Sequence, residues 1–203
     1  MFVAVDDTDS TEGNCTTFLA TEIIRQLDDL DLIGNPRLVR LNPATPWKTR
    51  GNGSLIMRFG RGIGKKTFIG MIGEKEIYSY EKASSFEPDQ DEMIKKIAPI
   101  VDTNHEKTAD PGLIVSFTKP SQKFYWNGVR TIVDRQIIED EIIRIGAKKY
   151  EIGCGRGVIG CICGMAWRPR DFTYELLSYR PRERWGTQRI FDPLTIRDAE
   201  HEI

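Results

Sequence analysis

Residues 2–17, FVAVDDTDSTEGNCTT, pass from an apolar run through an aspartate-rich stretch into a second apolar pattern. The run at residues 2–5 predicts a short buried strand. Apolar residues recur at i, i+4 and i+8 from Leu19, which predicts an amphipathic helix over residues 16–27. The polar loop between them is therefore expected at the carboxyl edge of a sheet, where open α/β folds bind ligands.

The polar loop carries three carboxylates within four residues, Asp6, Asp7 and Asp9. Like charges this close repel one another unless something neutralises them. Mg²⁺ does so through one or two carboxylates together with phosphate oxygens. The cluster therefore predicts a magnesium and phosphate site served by these aspartates. A solvated turn with one aspartate capping the helix is the alternative, and it explains one carboxylate better than three.

The start of the predicted helix offers three N-cap candidates, Asn14, Thr16 and Thr17, all of residue types that cap helices well. A hydroxyl at a helix N-terminus also lies where a phosphate group can bind. The residue types fit both roles, so capping and phosphate binding stay open at this point.

A glycine-rich segment follows a strand predicted at residues 148–152 and precedes an apolar run that ends at Trp167. Its spacing fits G-x-G-x-x-G, a weak signal by itself. Glycines let backbone N–H groups approach a phosphate closely, although they also permit tight packing. No Lys-Ser/Thr pair follows, so the segment is not a Walker A loop. The predicted nucleotide-binding residues are Gly153, Gly155, Arg156, Gly157 and Gly160.

A third segment, WKTRGNG at residues 47–53, places Lys48 and Arg50 on either side of a threonine in a glycine-containing loop. Both cations can neutralise charge that develops on a transferred phosphate, and Trp47 can stack on a base. An ordinary basic loop with a partly buried tryptophan fits the same residues, so the two interpretations stay open.

The rest of the chain alternates predicted strands with predicted helices, which indicates an α/β or α+β fold. Residues 60–73 are glycine-rich and predicted to be broken. The helix over residues 132–145 has the clearest apolar periodicity and is stopped by Gly146. The remaining predictions are strands at residues 37–41, 55–59 and 113–117 and a helix at residues 90–101.

Composition excludes several classes of protein. The 203 residues carry a net charge of −1, unlike a nucleic-acid-coating protein, which is strongly basic. No apolar stretch approaches the ~20 residues that span a bilayer. The N-terminus lacks a basic n-region and a cleavage site, which predicts a soluble, cytoplasmic protein without a signal peptide or membrane partner. The four cysteines lack the paired spacing of a zinc site, and neither histidine shows a catalytic partner.

The sequence Arg168-Pro169-Arg170 marks a predicted domain boundary. Beyond it, arginines crowd a short tail with too few apolar residues for a complete domain. We therefore predict one domain over residues 1–169 and the start of a second over residues 170–203. The first domain contains every candidate site residue.

Four stretches resemble the archaeal tRNA(Ile) 2-agmatinylcytidine synthetase, or agmatidine synthetase, family. They occur in the family's order and span nearly the whole chain, and their combination is far more specific than any one of them. They are VDDTDSTEGNCTT at 5–17, NPATPWKTRGNGS at 42–54, GCGRGVIGCICGMAW at 153–167 and TYELLSYRPRERWGTQR at 173–189.

The resemblance implies an enzyme that uses ATP to replace the C2 oxygen of the wobble cytidine, in the CAU anticodon of tRNA(Ile), with agmatine. It implies a kinase-like ATP-binding domain, with ATP and Mg²⁺ as cofactors, followed by a ferredoxin-like domain that begins in residues 170–203. A threonine in the CTT motif, Thr16 here, would become autophosphorylated. The catalytic residues expected from the motifs are Asp7, Thr16, Lys48 and Arg50.

The family pattern continues beyond the motifs present here. Full-length members of the family continue into an OB-fold and a zinc ribbon, which help to hold the tRNA. We expect neither within these 203 residues, so the chain is expected to be a piece of a longer protein or a protein with separate parts.

Two alternatives from other classes stay open. Residues 7–11, DTDST, fit the D-x-D-x-T motif of haloacid-dehalogenase-like, Mg²⁺-dependent phosphohydrolases, which form an aspartyl phosphate. The arginine-rich tail fits a non-catalytic RNA-binding module, which has no need of the acidic cluster. The three functions differ in what they do with phosphate. The synthetase would place phosphate on threonine, the phosphohydrolase would place it on aspartate, and the RNA-binding module would not use a nucleotide.

Overall fold

The computed structural model describes residues 1–49 and 51–174 and, beyond them, only Glu183, Pro193, Leu194 and Arg197. The described residues form a mixed sheet with helices on both faces, which confirms the predicted mixed α/β class. The strands are β1 (Phe2–Asp6), β2 (Asp31–Ile33), β3 (Arg37–Arg40), β4 (Gly53–Gly60), β5 (Gly62–Ile72), β6 (Lys75–Ala83), β7 (Gly112–Ser116) and β8 (Lys148–Glu151). The helices are α1 (Thr16–Gln26), α2 (Gln90–Asn104), α3 (Lys123–Arg130), α4 (Arg135–Ile145) and α5 (Gly157–Met165).

Strand β1 lies inside the sheet and is antiparallel to both of its neighbours. The strand order is β5-β6-β2-β4-β1-β7-β8, with β3 paired to β4. The carboxyl end of β1 therefore meets the first residues of β4 and β7, with Asp6 opposite Gly112. The acidic loop follows the carboxyl end of β1 as expected, but because both neighbours are antiparallel, the starts of β4 and β7 lie beside it instead of further carboxyl ends.

The two faces of β1 point into two separate apolar clusters. Val3 and Val5 pack with α1 and α2 in one cluster, whereas Ala4 packs with α3, α4 and α5 in the other. This division follows from the two-residue period of a strand. By the same period Asp6 faces α5, where Gly160 leaves room for its carboxylate. The sheet thus directs the first carboxylate of the acidic loop towards the start of α5.

Residues 60–73 belong to a long hairpin, and the prediction of a broken segment there is wrong. Strand β5 runs antiparallel to β6, with irregularities in the register after Ile63 and after Phe68. Gly64 and Gly70 lie at these irregularities with positive φ angles of 84° and 145°, which glycine adopts readily. The glycines that indicated breaks therefore accommodate bulges within a continuous strand.

The remaining element predictions are confirmed with shifted ends, and three elements, β2, β6 and α3, were missed. Strand β2 and helix α3 are too short to give a periodic signal. Helix α4 begins at Arg135 rather than at residue 132, because the Asp134 carboxylate caps it by accepting the Gln136 amide. The N-cap of α1 is Cys15, so the prediction of Asn14, Thr16 or Thr17 as the N-cap is wrong.

Helix α5 packs against β1, β4 and β7, so the sheet unit extends at least to Met165. The predicted boundary at residue 169 lies just beyond this helix and stays a prediction. Residues 170–203, the predicted start of a second domain, fall mostly outside the described residues. Within the described ranges, the helices are too short or too polar for any of them to cross a membrane.

Candidate functional site

The carboxyl end of β1 opens into a cleft of 1290 Å³. The start of α1, the loop before β4, the loop between α3 and α4, and the first turns of α5 complete its walls. Arg50 lies outside the described residues, and Gly153 and Gly155 do not line the cleft. The candidate residues that do line it are Asp6, Asp7, Asp9, Thr16, Lys48, Arg156, Gly157 and Gly160.

The loop between β1 and α1 is held in place by polar contacts that are largely buried. The Asn14 side-chain amide donates to the Thr8 carbonyl at 3.0 Å and to the Asn104 carbonyl at the end of α2. The fully buried Thr8 hydroxyl donates to the Thr16 hydroxyl at 3.1 Å. Asp7 and Asn14 have positive φ angles of 52° and 63°, which Asp and Asn tolerate better than most residues. These contacts fix the direction of the acidic side chains.

The three aspartates line one cleft, but their carboxylates have different partners. Asp6 accepts the Asp7 amide at 2.7 Å. Asp7 lies 3.5 Å from Arg156 Nε, and Asp9 accepts the Thr49 hydroxyl at 3.2 Å. In the part of the chain that the structure describes, no three carboxylate, thiol or imidazole groups converge as a metal-binding set. One or two of these carboxylates together with phosphate oxygens would match the ligands that Mg²⁺ usually takes in proteins.

The carboxylates of Asp6 and Asp7 are incompletely neutralised. Burial raises the pKa of Asp6 to about 7, and the charges of Asp7 and Asp9 act in the same direction against the hydrogen bond from the Asp7 amide. Burial likewise raises the pKa of Asp7 to about 6, although the Arg156 guanidinium opposes this shift. A cation in the cleft would favour the charged form of both groups.

Helix α1 presents hydroxyl groups and backbone donors to the cleft. Its N-cap, Cys15, makes no side-chain capping bond. The backbone N–H groups of Thr16 and Thr17 have no hydrogen-bond acceptor among residues 1–49 and 51–174, as is usual for a first helical turn. Because Thr16 is the first helical residue rather than the N-cap, side-chain capping does not account for it. The start of α1 therefore offers donors and a positive helix end to an anion.

At the start of α5, in contrast, the first backbone N–H groups are already hydrogen-bonded within the protein. They cannot bind a phosphate unless these bonds are given up. This finding weakens the sequence argument for a glycine-rich phosphate loop. The bonds run from Gly157, Val158 and Ile159 to the carbonyls of Asp110, Gly155 and Arg156, respectively.

Backbone conformation and close packing explain why glycine occupies these positions. Gly153 and Gly155 both have a φ angle of 63°, which other residues adopt at a cost. Gly157 and Gly160 lie against the end of β1, and a Cβ at Gly160 would lie 1.7 Å from an Asp6 carboxylate oxygen. Turn formation and tight packing therefore account for all four glycines, which leaves the arginine of the segment as its candidate for nucleotide binding.

Arg156 connects three segments of the cleft. Its Nη2 lies 2.6 Å from an Asp110 carboxylate oxygen, and its Nε lies 3.5 Å from Asp7. The guanidinium carbon is 5.5 Å from the centre of the Trp47 ring, whose side chain is 51% exposed. The buried Nε forms no hydrogen bond with the described residues, because the contact to Asp7 is an ion pair too long for one. Arg156 thus lines the cleft beside Asp7, with a shielded Nε whose hydrogen-bonding capacity the described residues do not fill.

Asp110 is a candidate site residue that sequence reasoning missed. Its carboxylate accepts the Cys154 amide at 2.9 Å and pairs with Arg156. Burial acts in the opposite direction, but these hydrogen bonds and the Arg156 charge hold the pKa of Asp110 below its usual value. The available signal was an acidic residue just before the apolar run at residues 113–117. Its relevance depends on β7 being antiparallel to β1, which places Asp110 beside the acidic loop.

Residues 2–154 match the family model described as the TiaS TCKD domain, and residues 155–203 match the model described as the TiaS FLD domain. This chain belongs to the TiaS family. The resemblance inferred from the four motifs is thereby confirmed. The two TiaS matches meet inside the glycine-rich segment, so α5 falls in the second match although it packs on the sheet of the first.

Curated TiaS relatives are longer than this chain. The tRNA(Ile) 2-agmatinylcytidine synthetase TiaS of Thermoplasma volcanium is 38% identical over 187 residues, which cover 89% of this chain and 41% of the relative. The protein of the same name from Methanocaldococcus jannaschii is 30% identical over 210 residues, which cover 100% of this chain and 45% of the relative. The chain thus spans less than half the length of these relatives.

Solved TiaS structures share the fold. The crystal structure of TiaS in complex with its isoleucine tRNA and ATP matches 99% of this chain and 44% of that chain, with a TM-score of 0.73 and 27% identity. The complex of TiaS with the same tRNA, AMPCPP and agmatine matches the same shares, with a TM-score of 0.70 and 25% identity. The described architecture is therefore that of TiaS.

For this TiaS-family chain, we compare the free energy of unfolding of Asp6→Asn with that of the native chain in the absence of divalent cations. We expect the difference to change in favour of Asp6→Asn as the pH rises from about 4 to 7. The raised pKa values of Asp6 and Asp7 mean that the folded state holds these protons more tightly than the unfolded state. Their stabilisation is present at low pH and is lost as the protons dissociate. One unit of pKa shift corresponds to about 1.4 kcal/mol.

Urea unfolding of both proteins across this pH range measures the effect. The comparison uses the difference between the two proteins, because the lowered pKa of the Met1 amino group, about 6, makes stability rise with pH above that value. Parallel stability profiles for the native chain and Asp6→Asn would contradict a buried, weakly neutralised Asp6.

Proposed function

We propose that this chain is the ATP-using part of a tRNA(Ile) 2-agmatinylcytidine synthetase, with a kinase-like domain that leads into a ferredoxin-like one. The observation that carries the proposal is the single cleft into which the acidic loop, the start of α1, Lys48 and Arg156 all open. The names of the relatives and the solved TiaS complexes with isoleucine tRNA, ATP and agmatine support the same function.

The proposed reaction has two steps. The γ-phosphoryl group of ATP passes to the C2 oxygen of the wobble cytidine, and ADP leaves. The primary amine of agmatine then attacks C2, the C2–O bond breaks, phosphate leaves, and the amine loses a proton. The first step makes sense because a carbonyl oxygen is a poor leaving group and a phosphorylated one is a good leaving group.

Phosphoryl transfer needs positioning and charge neutralisation more than covalent chemistry by side chains. Lys48 and Arg156 would neutralise the charge on the transferred group, since both side chains line the cleft. The free N–H groups of Thr16 and Thr17 would hold a phosphate at the start of α1. Arg50 is proposed to assist from the same basic loop. The phosphate cradle is thus assigned to α1 rather than to the glycines before α5.

A magnesium ion is proposed to bind at the acidic loop. Asp7 and Asp9 are the proposed ligands, because Asp6 is more deeply buried and is held against Gly160. Two carboxylates leave positions for phosphate oxygens and water, as Mg²⁺ requires. When bound, the ion would neutralise phosphate charge next to the basic residues. The raised pKa of Asp7 fits a carboxylate that lacks a strong cationic partner.

The proposal predicts that Thr16 becomes phosphorylated when the chain is incubated with labelled ATP and Mg²⁺. Its hydroxyl lies at the start of α1 within the cleft, and Thr8 donates a hydrogen bond to it, which leaves a lone pair to attack the γ-phosphorus of ATP. The Oγ–P bond forms as the bond to ADP breaks, and the hydroxyl proton is released to water. Mass spectrometry locates the label. We expect label on Thr16 in the native chain and an unchanged level in Thr17→Ala. In Thr16→Ala we expect at most about 1% of the native amount, which corresponds to an activation barrier raised by about 3 kcal/mol.

The neighbouring threonine is the matched control, since both residues occupy the first turn of α1 and line the cleft. Label on Asp7 in place of Thr16 would support the phosphohydrolase alternative. Absence of both ATP binding and label would leave a non-catalytic RNA-binding module. Label on Thr17 alone would contradict the assignment of Thr16.

A further inference from the structure

A second group of charged side chains lies at the opposite end of β1 from the cleft. Four residues, called here the far cationic cluster, compose it: Arg37 on β3, Arg58 on β4, Lys119 after β7 and Arg168 after α5. Arg58 lies opposite Phe2 in the strand ladder. The Arg58 guanidinium carbon and the Lys119 Nζ lie 5.6 and 5.3 Å from the centre of the Phe2 ring.

The far cationic cluster lacks neutralising carboxylates in the part of the chain that the structure describes. Within residues 1–49 and 51–174, none of its four members forms an ion pair. Some other cations of the fold do have carboxylate partners: Arg135 and Lys149, for example, each contact both Glu139 and Glu151. The far cationic cluster therefore concentrates positive charge in a chain whose net charge is −1.

Capping of α5 explains only part of the far cationic cluster. Lys119 donates to the Trp167 carbonyl at 2.9 Å, and Arg168 donates to the Ala166 carbonyl at 2.9 Å, which suits the negative end of a helix. That end carries only about half a negative charge. Arg37 and Arg58 make no hydrogen bond with their side chains in the described part of the fold. Two of the four cations thus have no hydrogen-bonding or ion-pair partner among these residues.

The members of the far cationic cluster repel one another. Burial, followed by the charges of Arg37, Arg168 and Arg58, lowers the pKa of Lys119 to about 8. Burial and the charge of Arg58 lower the pKa of Arg37 as well. An anion bound among them would relieve this repulsion. Clustered cations without internal partners are the electrostatic footprint of a polyanion site.

The far cationic cluster and the catalytic cleft lie on the same side of the sheet. Phe2, Ala4 and Asp6 share one face of β1 because of the two-residue period, and α5 covers the middle of that face. Four residues of strand place the two ends about 13 Å apart. A chain molecule lying along α5 could therefore contact both ends.

The geometry points to the far cationic cluster as a contact surface for the phosphodiester backbone of RNA, next to the cleft that holds the reacting base. This inference rests on the proposed function, in which the substrate is an RNA. Three of the four members are arginines, whose planar guanidinium groups bind phosphate in a bidentate manner. An RNA whose base is held in the cleft must extend its backbone beyond the cleft, whereas nothing in the site requires an acidic protein there.

The test measures binding of a fluorescently labelled RNA hairpin with a CAU loop to the 203-residue chain, by anisotropy at several salt concentrations. The variant is Arg37→Gln/Arg58→Gln, and the control is Lys65→Gln/Lys95→Gln, which removes two exposed cations from β5 and α2. We expect the Arg37/Arg58 variant to bind about tenfold more weakly and to reduce the slope of log Kd against log salt by roughly 1.4, at about 0.7 for each lost phosphate contact. The control should leave both quantities unchanged.

ATP binding, measured by calorimetry, should be unchanged in both variants, which separates this surface from the cleft. Equal RNA affinity and slope in the native chain and the Arg37/Arg58 variant would overturn the surface and leave the proposed function intact, since labelling of Thr16 tests that function separately. Absence of RNA binding by the native chain would overturn the surface too. If the double variant unfolds, the exposed Arg58→Gln alone should show half the change in slope.

A competition arm distinguishes RNA from an acidic protein. Polyglutamate is added to the RNA complex at equal charge concentration. We expect little displacement of RNA by it. If polyglutamate displaces the labelled RNA as well as unlabelled RNA does, and the Arg37/Arg58 variant binds both polymers equally weakly, the far cationic cluster would be reassigned to an acidic protein partner. That outcome would overturn the inference.

Discussion

Asp7→Asn is expected to weaken Mg²⁺-dependent ATP binding by at least about 100-fold, a loss typical of disrupting a metal site, while the fold stays intact. Asp7 has a φ angle of 52°, and asparagine is among the few residues that accept this backbone without strain. The substitution keeps the size of the side chain and removes one charge. Because burial raises the pKa of Asp7, loss of that charge should not lower stability at neutral pH.

Calorimetry with and without Mg²⁺ measures this effect. Without the metal, Asp7→Asn should bind ATP at least as well as the native chain, because one carboxylate no longer repels the phosphates. Asp110→Asn is the matched control: it removes a carboxylate that also contacts Arg156 but does not line the cleft. That variant should retain the Mg²⁺ dependence. An unchanged Mg²⁺ effect in Asp7→Asn would exclude Asp7 as a ligand.

Gly160→Ala is expected to lower the free energy of unfolding by about 3 kcal/mol, at the upper end for overpacking. An added Cβ would lie 1.7 Å from the Asp6 carboxylate oxygen and 2.7 Å from its carbon. The Asp6 side chain is 9% exposed and sits between β1 and α5, so it has little room to move. The sign is informative, because a Gly-to-Ala change inside a helix otherwise stabilises by about 1 kcal/mol.

A double-mutant cycle with Asp6→Ala isolates this contact. Urea unfolding would be measured for the native chain, both single variants and the pair. Gly160→Ala should cost much less in the Asp6→Ala background, because the carboxylate that it displaces is gone. An equal cost in both backgrounds would show that the close approach of α5 to β1 does not depend on the Asp6 side chain.

Sequence patterns predicted the helices and strands whose burial gives a run or a period of apolar residues. The apolar run at residues 2–5 predicted β1 because it is buried on both faces, and the periodicity from Leu19 predicted α1. The hairpin of β5 and β6 escaped prediction because its strand β5 lies at the edge of the sheet and is mostly exposed. An exposed strand has no apolar alternation to detect.

The candidate site divides in the same way. Asp6, Asp7, Asp9 and Thr16 could be selected from the sequence because they lie in or directly after one loop between two recognisable elements. Lys48 and Arg156 were found from residue type, but nothing local indicated that Arg156 would contact Asp7. That contact exists because α5 packs across the end of β1.

The sequence by itself determined the central strand, the acidic loop behind it, the helix that follows and, through four motifs in order, the TiaS family. Only the tertiary structure showed that Asp110 contacts Arg156, that the aspartates have separate partners, and that the glycines before α5 form turns and close packing contacts. The physical reason is the sequence separation between the residues that make the contacts. Burial and periodicity are properties of neighbouring residues, whereas the antiparallel pairing of β7 with β1 and the position of α5 depend on contacts between residues more than one hundred positions apart.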